Sequence, residues 1–142
     1  MVQAMLAVQE SRQKIAESEK ITLNLGFVDL GQIDLMVREG FYSNRTDFIR
    51  TAIRNQLGRH ADSIGQSVAR KALDLGTRHY DREELEAARA AGCMIRIRVL
   101  GLAIIAGDVT PDLARATIAS VSVLGALQAP AEVKAALADR MN

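Results

Sequence analysis

The feature that most constrains this chain is a short alternation of polar and apolar side chains near its N-terminus, here called the alternating segment (residues 20–25). Its polar positions are Lys20, Thr22 and Asn24, and its apolar positions are Ile21, Leu23 and Leu25. A period of two predicts a strand with one buried face. A lone short strand is not stable, and no second strand pattern lies nearby in the sequence. We therefore expect this strand to pair with the same strand of a second chain.

Two helix patterns follow the alternating segment. Leu30, Ile33 and Val37 recur at helical spacing, which predicts a first helix with Asp29 as its N-cap and Gly40 at its end. The second helix is expected to begin at Ser43 or Asn44 and to end near Gly58. Its apolar stripe consists of Phe48, Ile49, Ala52, Ile53 and Leu57.

An unpaired strand followed by two helices resembles the ribbon-helix-helix superfamily of Arc-, MetJ- and CopG-type DNA-binding proteins. The resemblance covers residues 20–58 and rests on the alternating segment, the turn at residues 40–47 and the Phe-Ile-Arg-x-Ala-Ile-Arg run at residues 48–54. It implies an intertwined homodimer in which two strands, one from each chain, form an antiparallel ribbon. It also implies that this ribbon enters the major groove of double-stranded DNA.

The polar row of the alternating segment is the expected base-reading surface. If the apolar row packs on the helices, Lys20, Thr22 and Asn24 must face outward. Asparagine can bind adenine through two hydrogen bonds, lysine can reach guanine acceptors, and threonine can contact a thymine methyl group. The alternative is that these three residues are ordinary solvated side chains on an exposed sheet face.

The turn before the second helix is the expected phosphate-binding site. A helix N-terminus presents unpaired backbone N–H groups and the positive end of the helix dipole. The resemblance implies that this end holds the DNA backbone, with side-chain donors from Ser43, Asn44, Arg45 and Thr46. The alternative is that Ser43 and Asn44 only cap the helix, and the two roles are compatible.

Composition and charge limit the remaining possibilities. The chain has 142 residues, 49% of them hydrophobic, and a formal net charge of only +1. Residues 11–60 carry eight Lys/Arg and six Asp/Glu, whereas residues 61–142 carry ten of each. DNA binding would therefore depend on local placement of charge rather than on a general basic field. The single cysteine, Cys93, is expected to be buried and fits a reducing compartment; with no membrane-spanning segment expected, the prediction is a cytoplasmic protein.

The sequence divides into four parts. Residues 1–19 are expected to form a flexible N-terminal arm whose Arg12 and Lys14 could touch DNA, although a poorly ordered terminus is the simpler interpretation. Residues 20–58 form the DNA-binding and dimerisation unit, and residues 59–72 form a polar connector. Residues 73–142 form the remaining module, in which the pair Leu-Gly recurs at residues 75–76, 100–101 and 124–125.

Those Leu-Gly pairs mark an internal repeat of a strand and a helix. Strands are expected at residues 95–99 and 121–123, with a weak first copy at residues 72–75, and helices at residues 81–91, 110–119 and 130–140. The spacings of 25 and 24 residues are typical of solenoid-like repeats. The predicted fold class is therefore α+β, with a solenoid-like C-terminal module for oligomerisation or for receiving a signal such as an effector.

No catalytic, metal or cofactor site is expected. His60, His79 and Cys93 lack metal-site spacing, and the acidic run at residues 81–86 suits a helix N-terminus better than a catalytic pair. The sequence therefore predicts a DNA-binding transcriptional regulator, most simply a repressor, and not an enzyme. The alternatives are an antitoxin or plasmid-partition protein, and a structural protein that binds a partner through residues 73–142.

Overall fold

The computed structural model describes residues 17–142, which combine helices with a parallel sheet. The chain divides into two compact units, of which the first extends to Thr51 and the second runs from Ala52 to Asn142. The mixture of helices and strands agrees with the α+β class. The predicted arm, with Arg12 and Lys14, lies outside the described residues except for residues 17–19.

The first unit contains the alternating segment and two helices. Residues 17–26 have no regular secondary structure in the single chain, so the strand expected there stays a prediction about two chains. Helix α1 spans Phe27–Arg38 and helix α2 spans Arg45–Arg59, so α2 continues into the second unit. The N-cap of α1 is Gly26 and not Asp29. Asp29 lies instead in the first turn, where its charge suits the helix dipole.

The second unit begins with helical rather than irregular structure. The predicted connector is largely helix α3, Ala61–Lys71. Three strands and three short helices then alternate, followed by a 3-10 turn at Ala138–Arg140. The strands are β1 (Asp74–Tyr80), β2 (Ile95–Ile105) and β3 (Ile118–Gln128); the helices are α4 (Arg82–Ala91), α5 (Pro111–Thr117) and α6 (Ala131–Ala136).

The strands form one parallel sheet in the order β1-β2-β3. All three run through their Leu-Gly pair, whereas the sequence predicted that each strand would end there. Helix α5 ends at Thr117, before the predicted Ala119, because strand β3 begins at the buried residue Ile118. The solenoid-like arrangement stays a prediction, since the described residues show a three-stranded parallel sheet.

The Leu-Gly pairs lie side by side across the sheet. Leu75 is opposite Leu100 and Leu100 is opposite Leu124, and the three glycines are aligned in the same way. Gly76, Gly101 and Gly125 have φ values of 115°, 137° and 122°, a region that side chains rarely adopt. A methyl group on Gly101 would overlap the carbonyl oxygen of Gly76, and one on Gly125 would overlap that of Gly101. We call these three residues the glycine ladder.

The core of the second unit is aliphatic and lies on one face of the sheet. On β2, Ile97 and Val99 are buried, whereas Arg96 and Arg98, which alternate with them, are exposed. Further buried residues come from the other strands and the helices: Tyr80, Leu85, Leu113, Ile118, Val121, Val133 and Leu137.

Two helices of the second unit begin with a side-chain cap. Asp81 accepts a hydrogen bond from the Glu84 amide (2.7 Å), and Thr110 accepts one from the Leu113 amide (3.2 Å). The prediction for Cys93 was wrong, because this residue follows the left-handed C-cap Gly92 in the loop before β2 and is exposed. Among residues 17–142, no helix has the length and apolar character to cross a membrane, and no group of His, Cys, Asp or Glu could hold a metal ion.

Candidate nucleic-acid interface

Both rows of the alternating segment are exposed in the single chain. Lys20, Thr22 and Asn24 are exposed, as predicted for a base-reading row. The apolar row is exposed too: Ile21 is 83% and Leu23 is 64% accessible. Exposed polar side chains are common on protein surfaces, but an exposed row of large apolar side chains is typical of an interaction surface.

The helices of the first unit add to this uncovered apolar surface. Ile33 is the one buried hydrophobic side chain in the described part of that unit. Phe27 is 91% accessible, and further exposed apolar side chains are Val28, Leu35 and Phe41. Fully burying each such side chain stabilises a protein by about 1.5–3 kcal/mol. Burial of these exposed side chains would therefore stabilise the first unit beyond what the single chain achieves.

Two hydrogen bonds involving Asp47 hold the turn at the start of α2. The Asp47 amide donates to Asn44 Oδ1 (2.8 Å), and the Ser43 amide donates to Asp47 Oδ2 (2.9 Å). The arrangement is similar to a capping box, except that Asp47 accepts from the amide of Ser43, the residue before the N-cap, and not from that of Asn44. Asp47 was missed as a site residue, although the Asn44-x-x-Asp47 spacing carries the signal. Asn44 therefore has the capping role that the sequence offered as its alternative.

The cap leaves backbone donors at the helix N-terminus. The first intrahelical hydrogen bond runs from the Phe48 amide to the Asn44 carbonyl oxygen (3.2 Å). The amides of Arg45 and Thr46 therefore precede the helical ladder, in the position from which helix N-termini bind anions. The side chains of Ser43, Asn44, Arg45 and Thr46 are all exposed, so the structure brings the four predicted phosphate-binding residues together at one end of α2.

Arg45 has a partner that the sequence did not indicate. Its Nε donates to Asp34 Oδ1 (2.7 Å), and its Nη2 donates to Asp34 Oδ2 (2.8 Å). The two bonds form a bidentate ion pair between α1 and α2. The hydrogen bond from Arg45 lowers the pKa of Asp34, and the same bond raises the pKa of Arg45. Eleven residues separate the two, so no local pattern could have found this pair. A phosphate bound by Arg45 would have to compete with the Asp34 carboxylate.

Comparisons with known proteins place these observations in a family. The model of the ribbon-helix-helix transcriptional regulator family matches residues 16–134. The chain is also similar to a protein named transcriptional regulator CdrS, from Halobacterium salinarum, with 32% identity over 47 residues. That alignment covers 33% of this chain and 86% of the relative. No solved structure matches.

Proposed function

Since this chain belongs to the ribbon-helix-helix transcriptional regulator family, we propose that it is a homodimeric repressor that reads operator DNA with a two-stranded ribbon. In this proposal, residues 20–25 of two chains pair as antiparallel strands. Lys20, Thr22 and Asn24 of each chain then face the major groove, where donors and acceptors distinguish all four base pairs.

The observation that carries the proposal is the exposure of the apolar row. Ile21, Leu23 and Leu25 alternate with the three polar residues and are all exposed in the single chain. Pairing two such segments would bury the apolar row against the helices and leave the polar row on the surface. The exposed apolar side chains of α1 supply further surface for an intertwined dimer.

The start of α2 would hold the DNA backbone on each side of the ribbon. The amides of Arg45 and Thr46 and the exposed side chains of Ser43 and Asn44 offer hydrogen-bond donors to phosphate oxygens. When DNA binds, the Arg45 guanidinium would exchange its Asp34 partner for a phosphate group. Such contacts position the protein on DNA without reading its sequence.

We assign residues 73–142 a role in assembly. These residues carry eight Lys/Arg and nine Asp/Glu, so their charges nearly balance, and their sheet exposes the apolar side chains of Leu75 and Leu124. Joining dimers through this part would let neighbouring operator sites fill cooperatively.

The test is binding of the purified full chain to fluorescent DNA from its own promoter region, measured by anisotropy against scrambled DNA at several salt concentrations. We expect a preference for the promoter that falls as salt rises. The Thr22→Ala/Asn24→Ala variant should lose that preference while it keeps the weaker binding to scrambled DNA. Asn24→Ala alone should remove a bidentate contact to a base. The difference in binding free energy between promoter and scrambled DNA should then fall by about 1–3 kcal/mol.

The matched control is Ser63→Ala/Gln66→Ala, which removes two exposed polar side chains from α3 and should leave both affinities unchanged. Equal loss of promoter and scrambled binding in the Thr22/Asn24 variant would remove these residues from base reading. No preference for the promoter at any salt would overturn the regulator proposal. It would favour a structural protein, for which the net charge of only +1 is the supporting observation.

A further inference from the structure

The sheet of the second unit has an open edge at β1. This strand pairs with β2 on one side, and within residues 17–142 no strand lies on its other side. Every β1 residue except Tyr80 is exposed. An exposed strand edge is a template for pairing with another chain.

The opposite edge, at β3, is covered only at its beginning. Met141 forms a parallel bridge with Val121, and the Asn142 amide donates to the Val121 carbonyl oxygen (2.9 Å). From Val123 to Leu127, no strand among the described residues lies on the outer side of β3.

The two edges have complementary outlines. Strand β1 begins opposite Val99, so the first part of β2, Ile95–Arg98, has no strand on the β1 side. In the same register, β3 is open from Val123, the residue opposite Val99, and is covered at Val121, the residue opposite Ile97. The β1 edge therefore has a gap beside Ile97, and Met141 on the β3 edge lies at the corresponding position.

The two outer glycines of the ladder, Gly76 and Gly125, lie on the edge strands and have a positive φ, as the central Gly101 does. Gly101 and Gly125 need to be glycine because a carbonyl oxygen of the preceding strand occupies the site of a side chain. Gly76 has the same sign of φ, yet a methyl group on it would meet nothing within 4 Å in its own chain. The site that a neighbouring glycine carbonyl fills beside Gly101 and Gly125 is therefore vacant beside Gly76.

We propose that β1 of a second copy pairs in parallel with β3 of the first, so that the glycine ladder continues from Gly125 into Gly76. The carbonyl oxygen of Gly125 then lies beside Gly76, and Met141–Asn142 of the first copy lies beside Ile97 and Arg98 of the second. The proposal deepens the assembly role assigned above and is independent of DNA binding. Because the two edges differ, the contact is head-to-tail and extends to a chain of copies unless it closes into a ring.

Exposed side chains support this pairing. Leu75 is 72% and Leu124 is 56% accessible, although both are large and apolar. Within the chain, Leu75, Leu100 and Leu124 already lie on neighbouring positions of adjacent strands. The new contact places Leu75 of one copy next to Leu124 of the other and extends this row of leucines.

Sedimentation velocity of the full chain over a range of concentrations tests the proposal. The wild type should form species larger than its smallest unit in a concentration-dependent way. Leu75→Asp and Leu124→Asp should each stop at that smallest unit, because a carboxylate enters the new contact from one side or the other. An equimolar mixture of the two variants should form larger species again, since one retains an intact β3 edge and the other an intact β1 edge.

Two controls separate loss of assembly from loss of folding. Ala116→Asp adds the same charge to an exposed site on helix α5, outside both edge strands, and should assemble as the wild type does. Gly76→Ala should abolish assembly, whereas Gly92→Ala, also at a positive φ with open space around it, should not. Circular dichroism should show folded protein for every variant used.

The proposal is overturned if the wild type forms no species beyond its smallest unit. It is also overturned if Leu124→Asp assembles normally while Leu75→Asp does not, because that result indicates pairing of two β1 edges. Failure of the mixture to restore assembly overturns it as well. Promoter binding measured on the same variants distinguishes this failure from failure of the repressor proposal.

Discussion

At the scale of single residues, the ion pair between Asp34 and Arg45 is the feature that most affects the proposed interface. It is exposed on both sides, with 55% of the Arg45 side chain and 50% of the Asp34 side chain accessible. Exposed pairs of this kind contribute little to stability. Its larger expected effect is on DNA binding, because it occupies donors that the proposed phosphate contact would need.

We predict that Asp34→Ala strengthens binding to promoter and scrambled DNA alike, because Arg45 no longer has to leave a carboxylate. Arg45→Ala should weaken binding to both and reduce the slope of log affinity against log salt by about one phosphate contact. Combining both changes should give the Arg45→Ala result. Anisotropy titrations at several salt concentrations measure all three.

The control for the loss of one negative charge is Asp62→Ala, on α3, which should change affinity much less. Weaker binding of Asp34→Ala, or an unchanged salt slope in Arg45→Ala, would show that Arg45 does not contact a phosphate.

At the scale of elements, the N-terminus of α2 combines a cap and a proposed phosphate site in one residue, and the two roles can be separated. Asn44→Ala removes the acceptor for the Asp47 amide and should lower the free energy of unfolding by about 1 kcal/mol. Asn44→Asp keeps an acceptor there, so stability should be retained. It also places a negative charge beside the phosphate, so DNA affinity should fall.

Urea unfolding and anisotropy on the same preparations measure these two effects. Asn44→Ser, which keeps a capping oxygen without a charge, is the control and should preserve both stability and affinity. Undiminished DNA affinity in Asn44→Asp would place the phosphate elsewhere.

The sequence predicted the type of most elements but not their limits. The spacing of apolar residues located α1 and α2, and the Leu-Gly repeat located α4. The strands were predicted too short. Strand β2 continues through Gly101 to Ile105, whereas the predicted strand ended at residue 99 because glycine weakens a strand. Gly101 has a positive φ, and so do Gly76 and Gly125 beside it on the neighbouring strands. Because this match involves three strands, the sequence pattern of one strand does not predict it.

At the scale of the whole molecule, the family was predictable from the order of the alternating segment and two helices, and the family match confirms it. The ion pair at Arg45 and the capping role of Asp47 add detail to the predicted site. The parallel register of the C-terminal sheet was not predictable, because it depends on pairings between residues about 25 positions apart in the sequence. The predicted strand at residues 20–25 needs a second chain, so a single chain cannot display it.

The measurement that tests the account most directly is hydrogen exchange of the backbone amides of residues 21–25 in the free full-length protein, followed by mass spectrometry. If two chains pair there, these amides should exchange slowly at high protein concentration and faster on dilution. Residues 97–99 of the central strand β2 are the internal reference and should stay protected throughout. Exchange at residues 21–25 as fast as in an unstructured peptide, at every concentration, would contradict the ribbon.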